Sequence, residues 1–284
     1  DHGIVAQGVS AFPQAVTPQM VLNFLNGGAA INVLARHAGA RVVVVDAGVA
    51  TPIAPFDGLI SAPIAAGTAD MSVGPAMTHH QAVAALELGI RVAGEQIAAG
   101  LDLLACGDMG IGNTSPATTI TAAFTRCSVA GVTGPGTGLD AAAVARKAAI
   151  LERCLAANTP DPADGLDVLA KVGGFEIGAI AGALLAGAAA RIPVVVDGYI
   201  ATAGALIAAA LAPAARAYMI AGHRSAEPGH DAALAHLGLA PLLDLGMRLG
   251  EGTGAVLAMG LVEAAARILG EMATFESAGI SGKS

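Results

Sequence analysis

Leu101-Asp102-Leu103-Leu104-Ala105-Cys106-Gly107-Asp108-Met109-Gly110-Ile111-Gly112-Asn113-Thr114-Ser115-Pro116 is the stretch on which the fold turns. Leu101–Cys106 is short and mostly apolar, as a buried strand is. Glycines then interrupt the pattern, and a helical segment runs on to about Phe124. Strand, glycine loop and helix in that order is the unit of an α/β chain. N–H groups at the start of such a helix suit a phosphate. The spacing fits neither the P-loop nor the dinucleotide fingerprint. A tight strand-to-helix turn explains the same residues equally well.

The alternation continues in both directions. Upstream, Arg41-Val42-Val43-Val44-Val45-Asp46 sets four valines in a row, which predicts a strand buried on both faces of a parallel sheet. Before it, Thr17 to Leu25 reads as a helix with Thr17 as N-cap and Pro18 at its first position. Ala29 to His37 is a second helix, and Asp1-His2-Gly3 reads as the end of a strand. Residues 49–75 are irregular, and Met77–Leu88 and Val92–Ala99 follow as two helices, Thr78 capping the first. Downstream, a second glycine loop runs from Gly131 to Asp140. Asp140 caps a helix over Ala141–Ala156 that carries Arg146 and Lys147, either a cation for a phosphate or plain surface charge. Leu166–Val172 and the nearly all-apolar Phe175–Ala190 are helical. Pro193–Asp197 and Ala217–Ala221 are further strands.

Ligands gather outside the C-terminal ends of parallel strands, which makes Asp197 a site candidate, although a helix-capping Asp fits as well. His223 is either a loop residue or a substrate contact. His230–Leu237 and a long helix from Val256 to Ala273 close the fold, and Ser277–Ser284 is a loose tail. The expected fold is a doubly wound, mainly parallel sheet with helices on both faces.

Composition narrows the function. Hydrophobic residues are 55% of the 284 and charged residues only 13%, which excludes a mostly disordered chain. A net charge of -8 argues against a nucleic-acid surface. The uncharged run from Gly198 to Ala215 is bracketed by Asp197 and Arg216 and interrupted by Gly204 and Pro213. It therefore fits a buried helix better than a membrane span. Cys106, Cys127 and Cys154 are odd in number and lack ligand spacing, which points to a reducing cytoplasm. No metal site and no serine nucleophile elbow is legible.

The sharpest chemical signal is Arg248-Leu249-Gly250-Glu251-Gly252-Thr253-Gly254, ahead of an apolar helical run. Glycines let a ligand approach the backbone, and the opening helix aims N–H groups at it. A lone carboxylate among them is either a catalytic group or a solvated helix cap.

At Gly107–Thr114 and Arg248–Gly254 the chain resembles the nicotinate-nucleotide–dimethylbenzimidazole phosphoribosyltransferases of cobalamin lower-ligand synthesis. Supporting stretches in family order are Asp1-His2-Gly3, Gly74-Pro75-Ala76-Met77, Asp167–Phe175, Asp197-Gly198 and Ser225-Ala226-Glu227. Together they cover nearly the whole chain. The family's N-terminal helical segment, with its Pro-Gly-Ser-Leu-Gly-type motif, has no counterpart here, so the sequence reads as a fragment of a longer chain. Asp108 stands where many members carry Glu, and Pro135 departs from the family's second glycine loop.

The resemblance implies one α/β domain over residues 1–284, with the helix at about 256–273 joining a small helical subdomain that is partly missing. It implies transfer of phosphoribose from nicotinate mononucleotide to 5,6-dimethylbenzimidazole, with inversion at the anomeric carbon. The donor pyridinium is already a good leaving group, so neither metal nor cofactor is expected. The acceptor carries a removable N–H, so a general base is needed, and Glu251 matches it. Gly110, Ile111, Gly112, Asn113 and Thr114 match a loop for phosphate and ribose, with Gly134, Gly136, Thr137 and Gly138 as its companion. Asp108, Lys147, Asp197, Ser225, Gly250, Gly252 and Thr253 are further substrate-binding candidates. Leu249, Phe12, Met20 and Met77 are candidates for the benzimidazole pocket. The implied partners are these small molecules and a second copy of the chain, with no membrane and no nucleic acid. A non-catalytic nucleotide or benzimidazole binder of the same fold is the competing reading.

Overall fold

Short, mostly apolar three-residue runs form the strands, and every strand pair in the computed structural model is parallel; the structure describes residues 1–281. In chain order the elements are a 3₁₀ turn (Gly3–Gln7), α1 (Val16–Leu25), α2 (Ala30–Ala38), β1 (Val44–Asp46), β2 (Leu59–Ser61), α3 (His79–Ala98), β3 (Leu104–Cys106), α4 (Thr114–Thr125), α5 (Val129–Val132), α6 (Ala141–Asn158), α7 (Gly165–Val172), α8 (Phe175–Ala189), β4 (Val194–Val196), α9 (Tyr199–Leu211), a second 3₁₀ turn (Pro213–Tyr218), β5 (Met219–Ala221), α10 (Gly229–Leu237) and α11 (Thr253–Glu271).

Strands β3, β4 and β5 form one sheet in that order, with Ala105, Val195 and Ile220 in register. Alternation along β4 gives the sheet its two covered faces. Val194 and Val196 join the main core with α8 and α9, whereas Val195 packs on Ala255 and Ala258 of α11. The α/β reading with helices on both faces is therefore what the chain builds. The parallel sheet is divided, because among the described residues β1 pairs only with β2.

Several local expectations need correction. Val42 and Val43 lie outside β1 and are exposed, so the four-valine run is not buried on both faces. Its partner β2 falls inside the stretch read as irregular, where Pro and Gly mask a three-residue strand. The two helices expected at 77–99 are one, α3. Gly89, which interrupts the apolar pattern, sits against the Ala179 backbone of α8, where a Cβ would overlap it. Gly182 makes the reciprocal approach to Leu86, so this helix pair packs backbone to backbone. Asp1-His2-Gly3 leads into a 3₁₀ turn, not out of a strand. Thr17 does not cap α1. Its hydroxyl donates to Asp1 Oδ1 at 2.7 Å and accepts from the Ile111 N–H at 3.2 Å.

α11 starts at Thr253, three residues earlier than expected, immediately after the glycine turn. By length and hydropathy it is the one described helix able to cross a membrane. Its first turns are instead the cover of the β-sheet, and Glu263, Arg267 and Glu271 pair along its outer half. Of the expected loose tail, residues 282–284 lie outside the described residues.

Candidate active site

The ends of β3 and β4 bring the two glycine-rich stretches together. Gly107 lies so close to Glu251 and Gly252 that a Cβ would overlap their backbone. The Glu251 N–H donates to the Asp108 carbonyl at 3.0 Å. Glu251 adopts φ 64°, a left-handed conformation uncommon outside glycine, between Gly250 at 80° and Gly252 at 91°. This turn is closed by Thr253, whose N–H and hydroxyl both donate to the Gly250 carbonyl, at 3.0 and 2.8 Å. Glu251 Oε2 accepts from the Ile31 N–H at 3.1 Å, in the first turn of α2, where the helix dipole favours an anion.

Asp197, at the end of β4, is buried, and its two oxygens are taken up by α11. Oδ1 accepts from the Ala255 N–H at 2.8 Å and Oδ2 from the Gly252 N–H at 3.2 Å. It thus caps, from another element, the helix that carries the Glu251 turn. Both readings of Asp197 meet here, since it lines the cavity while holding a helix. Asp108 receives a hydrogen bond from Asn113. Burial, together with the carboxylates of Asp197, Glu176 and Glu251, pushes its pKa well above the usual carboxylate range.

A second wall is polar and partly cationic. Of the two cations read on α6, Lys147 is buried and donates to Thr114 Oγ1 at 2.6 Å, while Arg146 faces solvent. Burial lowers the Lys147 pKa to about 8, against an opposing pull from Glu227. Arg248 donates to the Gly136 carbonyl. Glu227 is buried opposite Gly134, and burial raises its pKa while Lys147 and Arg248 pull it back. Ser225 is set by His230, whose Nδ1 accepts from the Ser225 N–H at 2.8 Å. Nε2 must then carry the proton and donate to Thr202, 2.8 Å away. Burial keeps this histidine neutral, with a pKa of about 3.

One cavity of about 360 Å³ is lined by Phe12, Met20, Asp108, Gly110, Ile111, Gly112, Asn113, Thr114, Gly136, Thr137, Asp197, Ser225, Leu249, Gly250 and Glu251. Its size suits a small molecule. Gly134, Gly138, Lys147, Gly252 and Thr253 are not part of that lining, although Lys147 acts on it through Thr114 and Gly134 packs against Glu227. Met77 is not brought there. It is buried in the main core and borders a separate cavity of about 680 Å³ with Lys171 and Phe175. Sequence reasoning gave no role to Val9, Val16, Met109, Glu227 or Arg248, all of which line the first cavity. The apolar three look like ordinary core in a sequence. Glu227 and Arg248 carried a signal in their position beside Ser225 and Leu249.

The chain is similar to several known proteins. A phosphoribosyltransferase family model matches residues 1–280. The nicotinate-nucleotide–dimethylbenzimidazole phosphoribosyltransferase of Chloroflexus aurantiacus is 62% identical over 283 residues, covering 100% of this chain and 81% of that protein. The enzyme of the same name from Geobacter sulfurreducens is 57% identical over 281 residues, covering 99% and 80%. The crystal structure of CobT from Thermus thermophilus superposes with a TM-score of 0.96 at 51% identity, covering all of this chain and 84% of that one.

Proposed function

The chain belongs to the nicotinate-nucleotide–dimethylbenzimidazole phosphoribosyltransferases, and from that premise we propose that its cavity performs the transfer with Glu251 as general base. The enzyme moves the phosphoribosyl group of nicotinate mononucleotide to a ring nitrogen of 5,6-dimethylbenzimidazole, giving α-ribazole 5′-phosphate and nicotinate. One ring nitrogen attacks the anomeric carbon as the bond to the pyridinium breaks, and the N–H on the other nitrogen gives its proton to Glu251. A single displacement of this kind inverts the β-nucleotide to the α-product.

The observation that carries the reading is the placement of Glu251. Its carboxylate is anchored by the Ile31 N–H and lines one cavity together with apolar side chains (Phe12, Met20, Leu249) and the Gly110–Thr114 loop. Those apolar side chains suit a flat benzimidazole. The loop, with Lys147 behind it, suits a phosphate, since main-chain N–H groups and an ammonium stabilise one together. Asp108, whose pKa is raised by burial and by the neighbouring carboxylates, lines the same cavity beside this loop.

Chromatography of nicotinate mononucleotide and dimethylbenzimidazole incubated with the protein is the test. Nicotinate and α-ribazole 5′-phosphate should appear together. Saturable binding without nicotinate release would favour the non-catalytic binder. We further propose that the enzyme works as a homodimer, in the cytoplasm, where its three free cysteines stay reduced.

A further inference from the structure

The protein itself does not explain Glu227. Both carboxylate oxygens are buried, and neither meets hydrogen-bond geometry among the described residues, although the Gly136 backbone is close enough to pull the Glu227 pKa down. Burying an unpaired carboxylate is costly, so a group of this kind usually marks a place that something else completes. The nearby cations are engaged elsewhere, Lys147 with Thr114 Oγ1 and Arg248 with the Gly136 carbonyl. Yet the fold makes room for the carboxylate. Gly134 faces it, and a Cβ at that position would overlap it. The Glu227 N–H donates to Ser225 Oγ at 3.3 Å, and the Ser225 turn is itself fixed by His230. A hydrogen-bonded turn thus presents a carboxylate with acceptor capacity to spare to the same cavity that Glu251 lines.

What could satisfy it follows from counting donors in the two substrates. Nicotinate mononucleotide has a carboxylate and a phosphate, which accept, and a pyridinium without an N–H. Dimethylbenzimidazole has one N–H, which goes to Glu251. The remaining donors are the two ribose hydroxyls. We propose that Glu227 binds the 2′- and 3′-hydroxyls of the nucleotide ribose, one on each carboxylate oxygen. The assignment rests on the phosphoribosyl-transfer reading for the identity of the nucleotide. It divides the polar wall in two, Lys147 and the glycine loops holding phosphate and Glu227 holding the sugar. It also makes the site selective for ribose over deoxyribose, because a site built around a hydroxyl leaves its own group unpaired when that hydroxyl is missing.

Calorimetry of nicotinate mononucleotide and its 2′-deoxy and 3′-deoxy forms tests this on the unaltered protein. Each deoxy form should bind about 10- to 100-fold more weakly, the range for a hydrogen bond to a charged group. Equal affinities would overturn the proposal without any variant. In Glu227→Gln the ribonucleotide should weaken by a similar factor and the deoxy penalty should shrink to less than about 3-fold. Inorganic phosphate should bind Glu227→Gln as well as before or better, since a negative charge has left. A loss of phosphate affinity equal to that of the nucleotide would instead assign Glu227 to the phosphate as a protonated donor. If the deoxy penalty is found but no nicotinate is released on turnover, the ribose assignment stands and the transferase reading falls.

Discussion

In the proposed mechanism Glu251 and Lys147 divide the work of the cavity between proton removal and anion binding, and each half can be deleted alone. Glu251→Gln keeps the size of the side chain and its bond from the Ile31 N–H while removing the basic carboxylate. Turnover should fall by about 10²–10⁴-fold, the range for a general base, with nucleotide affinity nearly unchanged by calorimetry. Near-normal turnover would take the base out of the mechanism and leave positioning as the source of rate. Lys147→Ala should have the opposite profile, weakening nicotinate mononucleotide and sparing free benzimidazole. The pH dependence identifies the group. Lys147 titrates at about 8, so its ammonium is present below that pH and is lost as pH rises through it. A phosphate is already largely dianionic there, its second pKa being about 6. Nucleotide affinity should therefore decline above about pH 8 in the unaltered protein, and that decline should be absent from Lys147→Ala. A decline of equal size in both proteins would mean that another group is titrating.

Among the elements, glycine does two unlike jobs, and only one of them is legible in a sequence. The glycines of 107–112 and 250–254 announce themselves by clustering next to polar residues, which makes the candidate site legible. Gly89 and Gly182 are isolated in apolar helical runs and read as interruptions, although their lack of a side chain is what lets α3 and α8 touch. For the same reason strand and helix identities were readable at Leu104–Cys106, Val194–Val196 and Phe175–Ala189, while the single helix α3 and the strand β2 were not. Tertiary contact decides those cases, and it leaves no local periodicity. The apolar slot was likewise only partly visible. Met77 was indistinguishable from Met20 by sequence, and the first proves to be core. A pair of substitutions tests the helix contact. Gly89→Ala should destabilise, because overpacking of about 1–3 kcal/mol outweighs the roughly 1 kcal/mol gained in helix propensity. Gly94→Ala, in the same helix but facing open space, should stabilise by up to about 1 kcal/mol. Urea denaturation of both reads the result, and a common sign would refute backbone contact as the reason for Gly89.

At the scale of the whole molecule, the outer half of α11 presents an apolar stripe without cover among the described residues. The first turns of α11 are buried on the sheet, but Leu261, Ile268 and Leu269 further along are 48%, 56% and 90% exposed, and Met272 just beyond is 70% exposed. Leu261, Ala265, Ile268 and Met272 recur at helical spacing, so they form one stripe and not scattered surface residues. The ion pairs of Arg267 with Glu263 and Glu271 lie on exposed side chains and contribute little to holding this half in place. A stripe of this kind marks a candidate contact surface. A second copy of the chain is the occupant we expect, since a two-fold axis would set the same stripe against its mate. Light scattering at micromolar concentration should then give twice the chain mass of 27.6 kDa. Replacing Ile268 and Leu269 together with Glu should shift the mass towards monomer. The replacements lie in the outer half of α11, beyond the turns that carry Asp197's hydrogen bonds, so thermal stability of the folded body and the bond from Ile31 to Glu251 should survive. A protein that is monomeric before any substitution would remove the homodimer. Dimers untouched by the double substitution would move the interface to another face.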